Sequence, residues 1–190
     1  MCGTFYYDDD TGEWKRRHED FSISLSIPDD DSLFRVPADY LFCDYYDQHL
    51  YAFYDDPLSW TEAEEACKSR GGHLASVGDE EEQEFLLNLT HLGRAENIWI
   101  GGYYRDGYWE WTDDSSFYFE NWDMHKDSTG KEFWQPDNYT GDEYYLRYAN
   151  RSIQYEYWYC NAGKWNDTAN RADGASGDAP LSSFGYVCKW

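Results

Sequence analysis

The sequence predicts an α+β domain, because two amphipathic helical segments are followed by many short strands and long loops. The first helical segment runs from Ser59 to Arg70 and ends at a Gly-Gly pair. On it, Trp60, Ala63 and Cys67 recur with the i, i+3, i+7 spacing of one buried face. We therefore expect Cys67 to point inward.

Capping signals mark where both helices begin. Thr61 and Glu64 have the spacing of a capping box in the first helix. The second helix is predicted to start near Asp79, where Glu82 follows three residues later. The apolar side of this second helix comprises Phe85, Leu86 and Leu89.

Short runs rich in β-branched and aromatic residues predict the strands. They are His49 to Tyr54, Ile98 to Tyr104, Tyr108 to Trp111, Glu143 to Ala149, Glu156 to Cys160, Lys164 to Asn166 and Gly185 to Trp190. The alternating stretch from Phe21 to Ile27 predicts one more strand. Because Pro37 marks a boundary, we divide the chain into residues 1–40, an added strand or part of a neighbouring domain, and residues 41–190, the main domain.

The composition fits one domain with an additional segment and excludes several classes of partner. The chain has 190 residues, and 38 acidic against 15 basic residues give a net charge of −23. Such a surface repels phosphate backbones and anionic lipids, so nucleic acid is not an expected partner. Aromatic residues make up 21% of the chain, and their rings are suited both to strands and to stacking on apolar ligand faces.

The chain shows no sign of entering a membrane. No run reaches the roughly 20 apolar residues that a membrane-spanning helix needs, and residues 1–10 lack the features of a signal peptide. The cysteines nevertheless indicate an oxidising compartment. We therefore expect a secreted or cell-surface protein of which this chain is a piece.

Six short motifs occur in a characteristic order. They are Trp60-Thr61-Glu62-Ala63 leading to Cys67, Gly71-Gly72-His73-Leu74-Ala75, Trp99-Ile100-Gly101-Gly102, Gln135-Pro136-Asp137, Trp165-Asn166-Asp167 and Gly185-Tyr186-Val187-Cys188. In this order they resemble the C-type lectin-like domain family over roughly residues 41–190. The resemblance implies two helices flanking small antiparallel sheets, a loop closed by its own terminal strands, and a long ligand-binding loop.

The resemblance also implies a disulfide between Cys67 and Cys188. A second disulfide of the family would need cysteines near Tyr145 and shortly after Asp167, and this sequence has none there. The three remaining cysteines are Cys2, Cys43 and Cys160. Their odd number leaves the pairing open, and a bridge between Cys43 and Cys160 is our working hypothesis.

Five side chains are candidate ligands of one calcium ion. They are Gln135, Asp137, Glu143, Asn166 and Asp167. All five supply oxygen, which calcium prefers, whereas zinc prefers His and Cys. The resemblance implies a cis bond before Pro136, which turns the flanking side chains toward one point. A second ion is not expected, because relatives that bind one have acidic residues where this chain has Asn138 and Tyr144.

The same five residues are expected to contact a sugar whose neighbouring hydroxyls complete the calcium shell. In the resembling family, Gln-Pro-Asp accompanies galactose-type ligands, including N-acetylgalactosamine, and Glu-Pro-Asn accompanies mannose-type ligands. Two further residues are predicted to contact the sugar. Tyr139 stands where galactose-binding relatives have a stacking Trp, and Trp134 is expected to line the pocket wall together with Phe133.

An enzymatic function has little support in the sequence. It lacks the HExxH, GxSxG and phosphate-loop motifs, and paired carboxylates are frequent in so acidic a chain. The alternative function is a calcium-independent protein-binding module that uses its exposed aromatic loops as an adhesive or receptor-binding face. A further alternative is a lectin fold whose calcium site no longer binds the ion. In either case, several copies in a larger parent protein would strengthen weak binding.

Overall fold

The computed structural model describes residues 5–8, 13–16, 40–126, 130–154, 159–171 and 184–190. The helices are α1 (Trp60–Ser69) and α2 (Glu80–Thr90). The strands, in chain order, are β1 (Phe5–Asp8), β2 (Glu13–Arg16), β3 (Phe42–Tyr46), β4 (His49–Tyr54), β5 (His73–Leu74), β6 (Asn97–Arg105), β7 (Tyr108–Trp111), β8 (Met124–Lys126), β9 (Glu132–Trp134), β10 (Tyr145–Ala149), β11 (Ile153–Gln154), β12 (Tyr159–Cys160), β13 (Trp165–Thr168) and β14 (Phe184–Lys189).

The last strand of the chain lies in the middle of the main sheet and joins its two parts. Its strand order is β13-β10-β6-β14-β4-β3, with β5 added to β14 and β7 added to β6. Strand β14 runs antiparallel to β4 and parallel to β6. The C-terminal strand therefore lies between two strands from the first half of the domain. With two helices beside this mixed sheet, the predicted α+β class is confirmed.

The N-terminal segment contributes two described strands, β1 and β2, which pair with each other as an antiparallel ribbon. The predicted strand from Phe21 to Ile27 lies outside the described residues. The division into residues 1–40 and 41–190 stays a prediction. No helix within the described ranges is long and apolar enough to cross a membrane.

The cap of helix α1 lies two residues earlier than the sequence predicted. Ser59 is the N-cap, and it forms a capping box with Glu62 rather than Thr61 forming one with Glu64. The reason is that Glu64 turns inward, where the residue is 4% exposed and its carboxylate accepts the Leu74 N–H at 2.9 Å. Helix α1 therefore uses Glu62 for its cap and Glu64 to hold β5.

Helix α2 begins as predicted, with Asp79 as the N-cap that accepts the Glu82 N–H at 2.8 Å. The Glu82 side chain is buried, and it receives the Gly78 N–H at 2.7 Å and the Lys189 ammonium at 2.8 Å. The Tyr51 hydroxyl donates to the same carboxylate. The start of α2 is thus fixed to both β4 and β14.

The core lies on both faces of the sheet, because neighbouring strand residues point to opposite sides. On β6, Ile98 and Ile100 join one apolar cluster and Trp99 joins the other. The cluster with Ile98 also contains the fully buried rings of Trp111 and Trp165. The motifs that contain Trp60, Trp99 and Trp165 therefore serve mainly to pack the core.

The disulfide between Cys67 and Cys188 joins α1 to β14, as the resemblance implied. The two cysteines are 121 positions apart in sequence. On chain-entropy grounds, a crosslink closing so long a loop stabilises the fold by roughly 4–5 kcal/mol.

The expected bridge between Cys43 and Cys160 is wrong. Cys43 is disulfide-bonded, whereas Cys160 is a buried free cysteine. Cys43 lies on β3 at one edge of the sheet, and Cys160 lies beside Arg147 of β10 near the other edge. Four strand spacings of about 4.8 Å separate β10 from β3, which is far more than a disulfide spans. Cys2 lies outside the described residues.

Replacing Gly101 with Ala tests the close packing of the Trp-Ile-Gly-Gly motif. A Cβ atom added there would lie 2.6 Å from the Leu74 carbonyl oxygen and 2.8 Å from Thr112 Oγ1. Since a backbone carbonyl cannot move cheaply, we expect Gly101→Ala to lower the free energy of unfolding by about 1–3 kcal/mol. Urea unfolding followed by circular dichroism measures this loss.

Gly78→Ala is the matched control, because a Cβ atom there would meet nothing closer than the Glu82 carboxylate at 3.5 Å. We expect this variant to unfold within about 0.5 kcal/mol of the unaltered chain. Equal unfolding free energies for both variants would contradict the packing argument.

Candidate functional site

The candidate site is formed by the loop between β9 and β10 together with strand β13. One carboxylate oxygen from each of Asp137, Glu143 and Asp167 lies within 4.8 Å of the other two. Glu143 and Asp167 are 7% and 1% exposed, whereas Asp137 is open to solvent. The fold thus brings three oxygen donors from two distant stretches to one point, close enough to share a cation.

Hydrogen bonds to Asp167 hold the loop against β13. Its carboxylate accepts the N–H groups of Asp137 at 3.2 Å and Asn138 at 2.7 Å. The Asn138 side chain then accepts the Glu143 N–H at 3.0 Å. The Gln135–Pro136 peptide bond is cis. Each predicted carboxylate ligand is therefore placed by backbone contacts with another part of the site.

A second connection joins Gln135 to β13. The Asp123 N–H donates to the Trp165 carbonyl at 2.8 Å, and the Asp123 carbonyl accepts the Gln135 N–H at 3.0 Å. The two halves of the site, one before Pro136 and one after Trp165, are thus connected through a single residue. The sequence prediction missed both Asp123 and Asn138. Only the position of Asn138 next to Asp137 could have indicated its role.

Burial and mutual repulsion act on the carboxylates. Burial raises the pKa of Glu143, and the negative charges of Asp167 and Asp137 raise it further. Burial also raises the pKa of Asp167, against the opposing effect of the N–H groups that it accepts. The charged forms of Glu143 and Asp167 are therefore less favourable than those of ordinary exposed carboxyl groups, and a bound divalent cation would offset this cost.

Gln135 and Asn166 are the two amide side chains that the sequence predicts as calcium ligands. Gln135 is half-buried, and its Oε1 atom is buried without a hydrogen-bond partner. A buried acceptor of this kind is rare unless something else satisfies it, and a cation fits that role. Asn166 is half-buried on β13 beside Asp167, opposite Arg147 of β10.

The two predicted aromatic contacts lie on either side of the cis proline in sequence. Trp134 ends β9 directly before Gln135 and is 60% exposed. Tyr139 follows the loop carboxylate Asp137 by two residues and is 83% exposed. Both rings are therefore accessible to a ligand. The sequence predicted no strand just before Gln135, whereas the structure has the paired strands β8 and β9 there.

Comparisons with known proteins show the family to which this chain belongs. The family described as "Lectin C-type domain" matches residues 56–171, which is more than half of the chain. The chain therefore belongs to the C-type lectin domain family. Domains of this family commonly bind Ca²⁺ and are typically binding modules rather than enzymes.

Sequence relatives include asialoglycoprotein receptor 2 of Rattus norvegicus, 39% identical over 95 residues, which make up 49% of this chain and 28% of the receptor. The galactose-specific lectin nattectin of Thalassophryne nattereri is 38% identical over 76 residues, 38% of this chain and 48% of nattectin. The chain thus spans less than half the length of either relative. The crystal structure of the C-type lectin CEL-I from Cucumaria echinata matches with a TM-score of 0.57 at 25% identity, covering 82% of this chain and 97% of CEL-I.

Proposed function

We propose that this chain binds carbohydrate through one calcium ion and prefers galactose-type glycans, including N-acetylgalactosamine. The observation that carries the proposal is the convergence of Asp137, Glu143 and Asp167 within 4.8 Å of one another. Gln135 lies two residues before Asp137 in the same loop, and its buried, unpartnered Oε1 atom supports it as a fourth oxygen ligand. Such an all-oxygen set with three negative charges suits calcium.

The residues of this chain would divide the work of holding the ion and orienting the sugar. Gln135, Asp137, Glu143, Asn166 and Asp167 would hold the ion. Calcium, when bound, supplies open coordination positions for two neighbouring sugar hydroxyls. The amide nitrogens of Gln135 and Asn166 can donate hydrogen bonds to these hydroxyls, and the three carboxylates can only accept. Gln135, which can donate, precedes Pro136, and Asp137, which can only accept, follows it. This order supports the preference for a galactose-type diol.

The relatives support the same class of ligand. Nattectin is named as a galactose-specific lectin, and the rat relative is named as an asialoglycoprotein receptor. Tyr139, which is 83% exposed, is suited to stack on the apolar face of a bound sugar. We expect millimolar affinity for one monosaccharide, about −4 kcal/mol. Several copies in a secreted or cell-surface parent protein would then provide useful adhesion.

The alternative function is calcium-independent protein binding. Tyr104 and Tyr144 are each 40% exposed and their rings stack at 6.4 Å, and Tyr108 is 73% exposed. Aromatic side chains of this kind are typical of protein interfaces. This surface does not require the carboxylates, so binding through it would survive EDTA.

Calcium binding can be tested with Asp167→Asn. This change removes one charge from the most buried carboxylate of the site, so we expect the calcium affinity to fall by at least about tenfold. Isothermal titration of the metal-free chain with calcium chloride measures the affinity. Circular dichroism verifies that the variant is folded.

Asp142→Asn is the matched control for the loss of one charge in the same loop. The Asp142 carboxylate is exposed and contacts Thr140 and Arg171 rather than the cluster. We expect its calcium affinity to stay within about twofold of the unaltered chain, because an exposed charge is strongly screened. If the unaltered chain binds no calcium, or if both variants lose the same affinity, the proposed site is wrong.

Sugar preference can be tested with the double variant Gln135→Glu, Asp137→Asn. This change exchanges donor and acceptor on either side of Pro136, so we expect preference to move from methyl galactoside to methyl mannoside. Competition for immobilised galactose in calcium measures the ratio of the two affinities. EDTA should abolish retention of the unaltered chain. Retention that persists in EDTA would contradict the proposed role of calcium in sugar binding, and absence of retention in calcium would favour the protein-binding alternative.

A further inference from the structure

The hairpin of β8 and β9 places two apolar side chains together beside the candidate calcium loop. Met124 is paired directly with Trp134 in the register of these strands. Directly opposed residues in an antiparallel pair lie on the same face, with their Cβ atoms about 5 Å apart. Met124 is 37% exposed and Trp134 is 60% exposed. The two side chains therefore form one small apolar surface that faces solvent.

Trp134 is unusual for its residue type in this chain. Where the structure describes tryptophan side chains, Trp134 alone is exposed, whereas Trp99, Trp111 and Trp165 are almost completely buried. Tryptophan has a large apolar area to bury, and its exposed occurrences concentrate at binding surfaces. The position of Trp134 therefore indicates a ligand rather than a packing role.

Hydrogen bonds connect the base of the hairpin to the candidate site. The Asp123 carboxylate is 3% exposed and accepts the Met124 N–H at 2.9 Å and the Asn161 side-chain amide at 2.6 Å. The backbone of Asp123 bonds both Gln135 and Trp165. The Met124–Trp134 pair is thus held at a fixed place relative to both halves of the site, and Trp134 immediately precedes Gln135.

We propose that Met124 and Trp134 form a second sugar subsite, which binds the hexose linked to the galactose at the calcium ion. This inference rests on the proposed function. The occupant follows from continuity, because Trp134 directly precedes Gln135, one of the residues proposed to hold the galactose, so the next sugar of a longer glycan can contact Trp134. The indole ring offers a flat surface for the C–H face of a hexose, and the flexible Met124 side chain can adapt to its edge.

The test compares methyl galactoside with disaccharides that end in galactose and differ in their linkage, titrated in calcium. For the unaltered chain, we expect at least one disaccharide to bind roughly threefold to tenfold more tightly than methyl galactoside. Trp134→Ala should abolish this advantage, and Met124→Ala should reduce it. Both variants should keep the affinity for calcium unchanged, and Trp134→Ala should weaken methyl galactoside less than it weakens the disaccharide.

Tyr118→Ala is the matched control, because it removes another exposed aromatic side chain, 76% exposed, outside the hairpin. It should keep the disaccharide advantage. The subsite is overturned, and the proposed function stands, if no disaccharide binds more tightly than methyl galactoside or if Trp134→Ala weakens both ligands equally. If the unaltered chain binds no galactoside in calcium, the proposed function fails and the subsite fails with it.

Discussion

The insertion of β14 between β4 and β6 is the constraint on which the rest of the domain depends. Without β14, the sheet would separate into a part with β3 and β4 and a part with β6, β10 and β13. The Cys67–Cys188 disulfide fixes this strand to α1, and the Lys189 ammonium bonds Glu82 at the start of α2. Both helices are therefore attached to the strand that closes the sheet.

The closed sheet makes an electrostatically unfavourable site possible. Asp167 is placed on β13 by strand pairing with Leu146 of β10, so its carboxylate stays buried although burial raises its pKa. The loop with Asp137 and Glu143 adds negative charge instead of a compensating positive one. Backbone N–H groups from the loop offset part of this cost. Sheet stability thus holds together carboxylates that would otherwise separate, and this arrangement makes a cation a favourable ligand.

Residue composition and capping signals predicted several elements correctly. The strands from His49 to Tyr54 and from Tyr108 to Trp111 coincide with β4 and β7, and Asp79 caps α2 as predicted. The cap of α1 was misplaced, because Thr61 and Glu64 have the same spacing as Ser59 and Glu62. Only tertiary contacts of Glu64 with β5 distinguish the two pairs.

Features that depend on the order of strands in the sheet were not accessible from sequence. The Cys43–Cys160 hypothesis failed because nothing local shows that β3 and β10 lie on opposite sides of β6, β14 and β4. The candidate ligands could be predicted because they lie in sequence motifs. Asp123 lies in no motif, and it contacts the site through its backbone.

The roles of the aromatic residues were also not accessible from sequence alone. Trp165 contacts the rings of Trp111 and Trp122, so these tryptophans pack the sheet. The exposed ring of Trp134 becomes a candidate ligand contact only when it is compared with these packed tryptophans.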